Sequence, residues 1–178
     1  MAEGPATLTV RRLAELSGTS ASAVYSLFGD KWGLIEEMFN EGFRRLSQRF
    51  GEVELTSNPV VDLIALGQAF RGSALANPHL YDLMFERPFP EFQPAEQNAT
   101  TALGTFKALV DAVQRCLDAG LVGGGDALQL ALFLFGQVHG LTGLELKGWL
   151  GSREQADGIW DLVLRITFEG LRAQAPSR

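Results

Sequence analysis

The feature that most constrains the fold is a series of short breaks that divide the chain into segments of helical length. Glycine, proline and asparagine cluster at these breaks, and such residues interrupt regular secondary structure. Between them no stretch of useful length alternates apolar and polar residues, so strand patterns are scarce. The sequence therefore predicts an all-α fold with helices over Thr9–Ser17, Ser20–Phe28, Lys31–Phe50, Pro59–Ala76, Pro78–Glu86, Gln97–Ala119, Asp126–Leu150 and Arg153–Gln174.

Length and composition narrow the class of protein. The 178 residues suit one large domain, or a small domain attached to a larger one, and 46% apolar with 20% charged residues fits a globular chain. The single cysteine, Cys116, excludes an intramolecular disulfide and a cysteine-based zinc site. The N-terminal residues have neither the basic nor the apolar segment of a secretory signal. We therefore expect a cytoplasmic protein.

Charge is distributed unevenly along the chain. The net charge of −6, taken alone, argues against nucleic-acid binding, because such domains are usually basic. Residues 1–50, however, hold six basic and six acidic side chains, so the whole excess of negative charge lies in residues 51–178. A neutral head and an acidic body predict two parts with separate tasks.

The segment from Leu8 to Phe28 has the pattern of a helix-turn-helix. Thr9 is a suitable N-cap for the first helix, and Ser20 for the second. Gly18 supplies the backbone freedom that a tight turn between two helices requires. The second helix starts with small side chains, which allows its N-terminal end to approach a phosphate backbone and base edges closely.

At these residues the sequence resembles the TetR family of one-component transcriptional regulators. The resemblance rests on Leu-Thr-Val, Leu-Ala-Glu-x-x-Gly, a serine cap, and Val-Tyr-x-x-Phe-x-x-Lys, which together run from Leu8 to Lys31. It implies an N-terminal DNA-binding domain over residues 1–50 with its connecting helix. The implied phosphate contacts are Thr9, Tyr25 and Lys31, and the implied base-reading edge is Ser20, Ala21, Ser22 and Ala23. Arg11 and Arg12 either add phosphate contacts or form a solvated helix face.

Two features depart from the family pattern. Leu27 stands where many members carry a histidine, which removes one phosphate contact. The sequence also starts about one helix late, so we expect the first helix of the DNA-binding domain to be missing. The four large apolar residues that would then lack cover are Leu13, Leu16, Val24 and Phe28. This predicts either an upstream start or a loosened head.

Residues 51–178 are expected to form a helical ligand-sensing and dimerisation domain. Residues 77–85 and 135–146 resemble the sensor domain of a TetR subgroup named for a Trp-His-Gly pattern, although Val138 precedes His139 here. A sensing pocket is expected among apolar and aromatic groups. The candidates are Phe70, Tyr81, Met84, Phe85, Phe106, Val110 and His139. The alternative is that these side chains are packed core. The stretch from Pro88 to Pro94 is either a flap over the pocket or a surface loop.

The last two helices predict a homodimer. In the segment 153–174 the polar residues fall on one narrow stripe and almost everything else is apolar, so this helix needs two partners. In the segment 126–150, Gly136, Gly140 and Gly143 share one face that permits close backbone approach. We expect a four-helix interface built from these two helices of each subunit. The apolar run from Leu128 is long, but polar residues interrupt it, which favours a buried helix over a membrane span.

No catalytic constellation is evident in the sequence. The two histidines lack the spacing of a metal site, and Gly123-Gly124-Gly125 precedes Asp126 rather than a phosphate-loop lysine. We therefore expect no enzyme activity and no cofactor. The expected function is a repressor that binds double-stranded operator DNA and is released by a small apolar ligand. The alternative is a helical dimeric ligand-binding or interaction protein that no longer binds DNA.

Overall fold

The computed structural model describes Gly18 and residues 20–176, with the backbone alone for residues 96–99. Within that part the chain forms seven α-helices and no β-strand, which confirms the all-α prediction. Asp82–Glu86 is a π-helical segment that directly follows the helix Pro78–Tyr81. The helices are α1 (Ala21–Phe28), α2 (Lys31–Gly51), α3 (Pro59–Ala76), α4 (Pro78–Tyr81), α5 (Glu96–Asp118), α6 (Ala127–Leu146) and α7 (Arg153–Ala173). The helix predicted over Thr9–Ser17 lies outside the described residues.

Capping side chains fix where several helices begin. The hydroxyl of Ser20 accepts a hydrogen bond from the Ala23 N–H at 3.1 Å, at the start of α1. α6 and α7 both start with a capping box, in which an Asp or Ser cap is paired with a glutamine three residues later. One predicted end is wrong: α6 stops at Leu146 rather than Leu150, because Gly148 adopts a φ of 74° that ends the helical backbone.

The chain divides into two compact units. Unit 1 contains the residues up to Arg45 together with Asn77–Leu103, and unit 2 contains Leu46–Ala76 together with Gly104–Arg178. The stretch from Pro88 to Pro94 therefore belongs to unit 1. The predicted boundary at residue 50 separates a DNA-binding domain from a ligand-sensing domain by function, and it stays a prediction.

Aromatic packing forms the core of unit 1. Phe39 and Phe43 lie on α2 with ring centroids 4.9 Å apart, and Phe43 meets Phe85 of the π-helical segment at 5.6 Å. Phe89 is buried in the same cluster and Phe92 packs against it. These two rings anchor the proline-rich stretch, so it is a packed loop of unit 1.

The core of unit 2 is built from α3, α5, α6 and α7. Cys116 is fully buried in it, and burial raises the pKa of its thiol to about 11. Gly123 lies so close to the end of α7 that an added Cβ would overlap the Gln174 carbonyl. The triple glycine therefore provides a close backbone approach before Asp126 starts α6. The buried hydrophobic residues of the cluster are Val60, Leu63, Val113, Cys116, Val122, Ala127, Leu130, Ala131, Leu134, Phe168 and Leu171.

Candidate nucleic-acid interface and ligand-binding region

The helix α1 has one packed side and one open side. Val24 is buried against Leu34 of α2, and Ala21 and Phe28 pack on the same small cluster. Because these three α1 residues follow a three- and four-residue spacing, they define the inward face of the helix. The remaining side chains of α1 lie on its other faces. Exposed there are Ser22, Tyr25, Ser26 and Leu27, with Ala23 half-buried between them.

The turn between α1 and α2 is tightly fixed. Gly29 ends α1 with a φ of 77°, and its N–H donates to the Tyr25 carbonyl at 2.8 Å. Asp30 then caps α2 by accepting a hydrogen bond from the Gly33 N–H at 2.8 Å. A Cβ at Gly33 would overlap the carbonyl oxygen of Phe28, so the two helices meet at a contact that only glycine allows. This junction sets the orientation of α1 on α2.

Lys31 follows this turn and lies over two aromatic rings. Its ammonium nitrogen is 4.7 Å from the ring centroid of Phe89 and 5.3 Å from that of Trp32. The Trp32 and Phe89 rings meet edge to face at 6.3 Å. Cation–π attraction therefore holds the charge near the C-terminal end of α1.

In unit 2 an aromatic cluster forms around Phe135 of α6. Its ring centroid lies 4.3 Å from His139, 5.6 Å from Phe106 and 6.2 Å from Phe70. Phe70 and His139 are themselves 5.0 Å apart. The cluster joins α3, α5 and α6 with edge-to-face contacts, which are the favoured geometry for such rings.

A cleft of about 400 Å³ opens elsewhere in unit 2. Its walls are mostly apolar and come from the end of α2, the following segment, α3 and α5. The residues that line it are Ser47, Phe50, Gly51, Val53, Leu55, Asp62, Leu66, Gly104, Thr105, Ala108, Asp111, Ala112 and Arg115. Its size and lining fit a small, largely apolar molecule.

Asp62 is one of the charged residues that line this cleft. Thr56 donates two hydrogen bonds to the Asp62 carboxylate, from its hydroxyl at 2.6 Å and from its backbone N–H at 3.0 Å. Arg115 donates a third to the same carboxylate at 2.9 Å. The Thr56 hydroxyl and the other donors hold the pKa of Asp62 below its ordinary value, against the effect of burial. The carboxylate therefore stays charged and fixes the segment before α3.

A second buried charge network joins α3, α6 and α7. Arg71 donates two hydrogen bonds of 2.7 Å to Glu145 and lies 2.6 Å from Asp157. The indole N–H of Trp160 donates to Glu145 at 2.8 Å, and the Arg71 guanidinium lies over the Trp160 ring. Burial acts to raise the pKa of Glu145, but the hydrogen bonds from Arg71 and Trp160 hold it below its ordinary value. The pair therefore remains ionised inside unit 2.

The helices α6 and α7 each leave a second apolar face uncovered. On α6 this face contains Leu128, Leu132 and Phe133, and Cβ atoms added at Gly136 and Gly140 would meet only open space. On α7 it contains Ile159, Leu162 and Ile166. By length and composition alone, α6 could cross a membrane, since its most apolar 18 residues have a mean hydropathy of 1.3. In the described structure 22% of those residues are buried.

The comparisons with known proteins place the chain in a family. Residues 63–167 match the family model of the tetracyclin repressor-like C-terminal domain, which is more than half of the sequence. The chain belongs to the TetR family. This match confirms the family predicted from Leu8–Lys31, and the chain is therefore a transcriptional regulator. Its assignment to the Trp-His-Gly subgroup stays a prediction.

Solved structures share the fold over most of this TetR-family chain. A protein of unknown function from Rhodococcus sp. RHA1 is 28% identical with a TM-score of 0.75, over 93% of this chain and 85% of that one. The TetR family transcriptional regulator PfmR from Thermus thermophilus is 17% identical with a TM-score of 0.72, over 92% and 89% of the two chains. No curated protein matches the sequence.

Six of the predicted DNA-binding residues lie in the described region, around α1 and its junction with α2. Ser20 caps α1, Ala21 faces inward, and Ser22 and Tyr25 are exposed. Ala23 and Lys31 are half-buried. Thr9 and Arg11 lie outside the described residues, as do Leu13 and Leu16. The sequence reasoning did not select Ser26 for this face, although its four-residue spacing from Ser22 predicts it.

The predicted ligand-binding residues fall into two groups. Phe70, Phe106 and His139 meet in the aromatic cluster of unit 2, and Val110 packs on the core beside it. Tyr81, Met84 and Phe85 lie in unit 1, where the Tyr81 and Phe85 rings are 5.3 Å apart. Burial raises the pKa of Tyr81 to about 12. None of the seven lines the cleft at Asp62.

The buried charge networks of unit 2 were missed by the sequence reasoning. A signal for them exists, because α3 carries only two charged residues, Asp62 and Arg71, in an otherwise apolar or neutral helix. Charges in such a helix are expected to find partners on a neighbouring element. Among the described residues, no group of three or more His, Cys, Asp and Glu side chains is placed to hold a metal ion.

Proposed function

We propose that this TetR-family regulator is a cytoplasmic repressor that binds operator DNA through α1 and is released by a small apolar ligand. The observation that carries the proposal is the architecture of α1. The helix is capped by Ser20, packed on α2 through Val24 and open on its other side. A capped helix start with free backbone amides and short side chains fits the major groove.

The uncovered faces of α6 and α7 support a homodimer. Both faces are apolar and belong to helices that are neighbours in the sequence. The face on α6 is bordered by Gly136 and Gly140, where an added Cβ would meet no described atom within 4 Å. A two-fold axis would pair them as four helices and would present two copies of α1 to one operator. The half-sites are then expected about 34 to 36 Å apart, one turn of DNA.

Sedimentation velocity tests the dimer. The unmodified chain is expected to sediment as a dimer at micromolar concentration, and Leu132→Glu is expected to yield monomers, because a carboxylate would be buried without a partner. Leu103→Glu is the matched control, since Leu103 is similarly exposed but lies on α5. A monomeric unmodified chain, or a Leu132→Glu dimer, would contradict the proposed interface.

The ligand is proposed to bind in the helical body. The aromatic cluster at Phe135 and the cleft at Asp62 are both apolar regions of unit 2. A ligand changes operator affinity only to the extent that it prefers one conformation of the dimer. Binding of the hydrophobic dye ANS, with and without a Leu66→Trp change that fills the cleft, tests which region holds an apolar molecule.

Operator binding is tested by selecting DNA from a random library and measuring affinity by fluorescence anisotropy. Tyr25→Ala is expected to weaken binding about tenfold, since it removes a phosphate contact from each half-site. Leu103→Ala is the control and should bind as the unmodified chain does. If Tyr25→Ala and Ser22→Arg both leave affinity unchanged, α1 is not the DNA-binding helix.

A second candidate is a dimeric ligand-binding or interaction protein without DNA affinity. The observation that favours it is the composition of α1, which has no charged side chain, in a chain with a net charge of −6. Such a protein has little electrostatic attraction to phosphates. A dimer that binds ANS but enriches no DNA sequence would favour this candidate.

A further inference from the structure

We infer that α1 reads its half-site through thymine methyl groups, so that the operator core is composed mainly of A·T pairs. The inference rests on the proposed DNA binding by α1 and specifies the class of sequence that this helix recognises. It follows from which functional groups the open side of the helix presents and which it lacks.

The open side of α1 presents only hydroxyl and hydrocarbon groups. Ser22, Ser26 and Tyr25 supply the hydroxyls, and Ala23 and Leu27 supply the hydrocarbon. No arginine, lysine, asparagine or glutamine occurs anywhere in Ala21–Phe28. The helix therefore lacks every side chain that makes a bidentate contact with guanine or adenine in the major groove.

The described charged groups that follow α1 do not supply the missing contacts. Asp30 is engaged as the cap of α2 through its bond to Gly33. The Lys31 ammonium lies over the Phe89 and Trp32 rings at the far end of the helix. Base readout by this element is therefore left to single hydroxyl contacts and to apolar contact with the C5 methyl of thymine.

Leu27 adds a positive observation to these absences. It stands where many family members carry a phosphate-contacting histidine, and because leucine has no donor for a phosphate, its hydrocarbon is available for contact with thymine methyl groups instead. Its side chain is 77% exposed, the largest exposed fraction among the large hydrophobic side chains of the described residues. It lies one helical turn after Ala23, so the two form a short apolar row beside the serines. Thymine methyl groups would remove this row from water on binding, whereas guanine presents its N7 and O6 acceptors there and cytosine its amino group, and neither has a methyl group.

The test uses DNA from which single methyl groups are deleted. The full chain selects sequences from a random duplex library, and the enriched operator is then synthesised with uracil in place of thymine in the half-sites. Each methyl that α1 contacts should lower the affinity about fourfold when it is removed, the effect of one methylene's worth of lost apolar burial. Uracil placed outside the half-sites is the matched control and should have no effect.

A protein variant assigns the effect to α1. Leu27→Ala should bind the thymine operator more weakly and show a smaller loss on uracil substitution than the unmodified chain. Leu103→Ala should retain the full loss, and circular dichroism should show that both variants are folded. Because Leu27 is exposed and alanine favours helices, folding is not expected to suffer.

The outcomes separate this inference from the proposed function. Selected operators with guanine-rich half-sites, or half-sites that tolerate uracil throughout, would overturn methyl readout while leaving DNA binding intact. Failure to enrich any sequence would overturn both. Methyl readout is supported if the selected half-sites are A·T-rich, if uracil substitution lowers the affinity of the unmodified chain, and if it lowers the affinity of Leu27→Ala by a smaller factor.

Discussion

The two compact units are both helical, but different contacts hold them together. In unit 1 aromatic rings are the larger part of the core, where Phe39, Phe43, Phe85 and Phe89 share one cluster with aliphatic side chains such as Leu83. In unit 2 an apolar core is combined with two buried charge networks, at Asp62 and at Arg71. Aromatic packing tolerates salt and pH, whereas buried ion pairs fix helix register and respond to protonation.

The largest effect is expected at Arg71. Replacing it with alanine leaves the Glu145 carboxylate buried without its main partner, and side-chain exposures of 7% and 9% leave little access to water. The expected loss in the free energy of unfolding is about 3 to 5 kcal/mol, measured by urea denaturation. The double change Arg71→Met with Glu145→Leu should be less damaging than the single one. If Arg71→Ala lowers the free energy of unfolding by less than about 1 kcal/mol, the Arg71–Glu145 pair does not stabilise the packing of these helices.

The next effect is expected at Gly33 in unit 1. A methyl group there would overlap the Phe28 carbonyl, so Gly33→Ala should separate α1 from α2 and destabilise the unit by about 2 to 3 kcal/mol. Gly72→Ala is the matched control, because a Cβ at this exposed position of α3 meets nothing and alanine favours the helix. Hydrogen exchange of α1 amides measures the effect; unchanged protection would show that the junction is loose.

Much of this organisation could be predicted from local sequence. Caps such as Ser20, and breaks such as Asn58-Pro59, act on neighbouring residues, so the helix bounds follow from them directly. The Arg71–Glu145 pair joins residues 74 positions apart, and no local pattern specifies that distance. The cleft at Asp62 arises in the same way from segments distant in sequence. The sequence predicts the open face of α1 only in part, because its clearest local signal is the run of small residues at the N-terminal end of the helix.

Acid should destabilise unit 2 through Asp62 and Glu145. The pKa values of Asp62 and Glu145 are lowered in the folded chain, so both carboxylates stabilise it above their unfolded pKa values, near 4. That contribution is lost as the pH falls from about 4 through the folded values. Urea unfolding at pH 7, 4 and 3 should show this fall, and Asp62→Asn should reduce it. A pH dependence unchanged by Asp62→Asn would remove Asp62 from this account.

The smallest effect is expected at Phe89 in unit 1. Leucine at this position keeps most of the apolar volume but removes the ring beneath the Lys31 ammonium and beside Trp32. The expected loss is about 1 kcal/mol, from the aromatic pair and the cation–π contact. Phe92→Leu is the control, because Phe92 packs on Phe39. If the Phe89→Leu loss disappears in a Lys31→Met background while the Phe92→Leu loss persists, the cation accounts for it. If Phe89→Leu instead costs the same free energy of unfolding with Lys31 and with Lys31→Met, the Phe89 ring stabilises unit 1 by packing and not through the Lys31 ammonium.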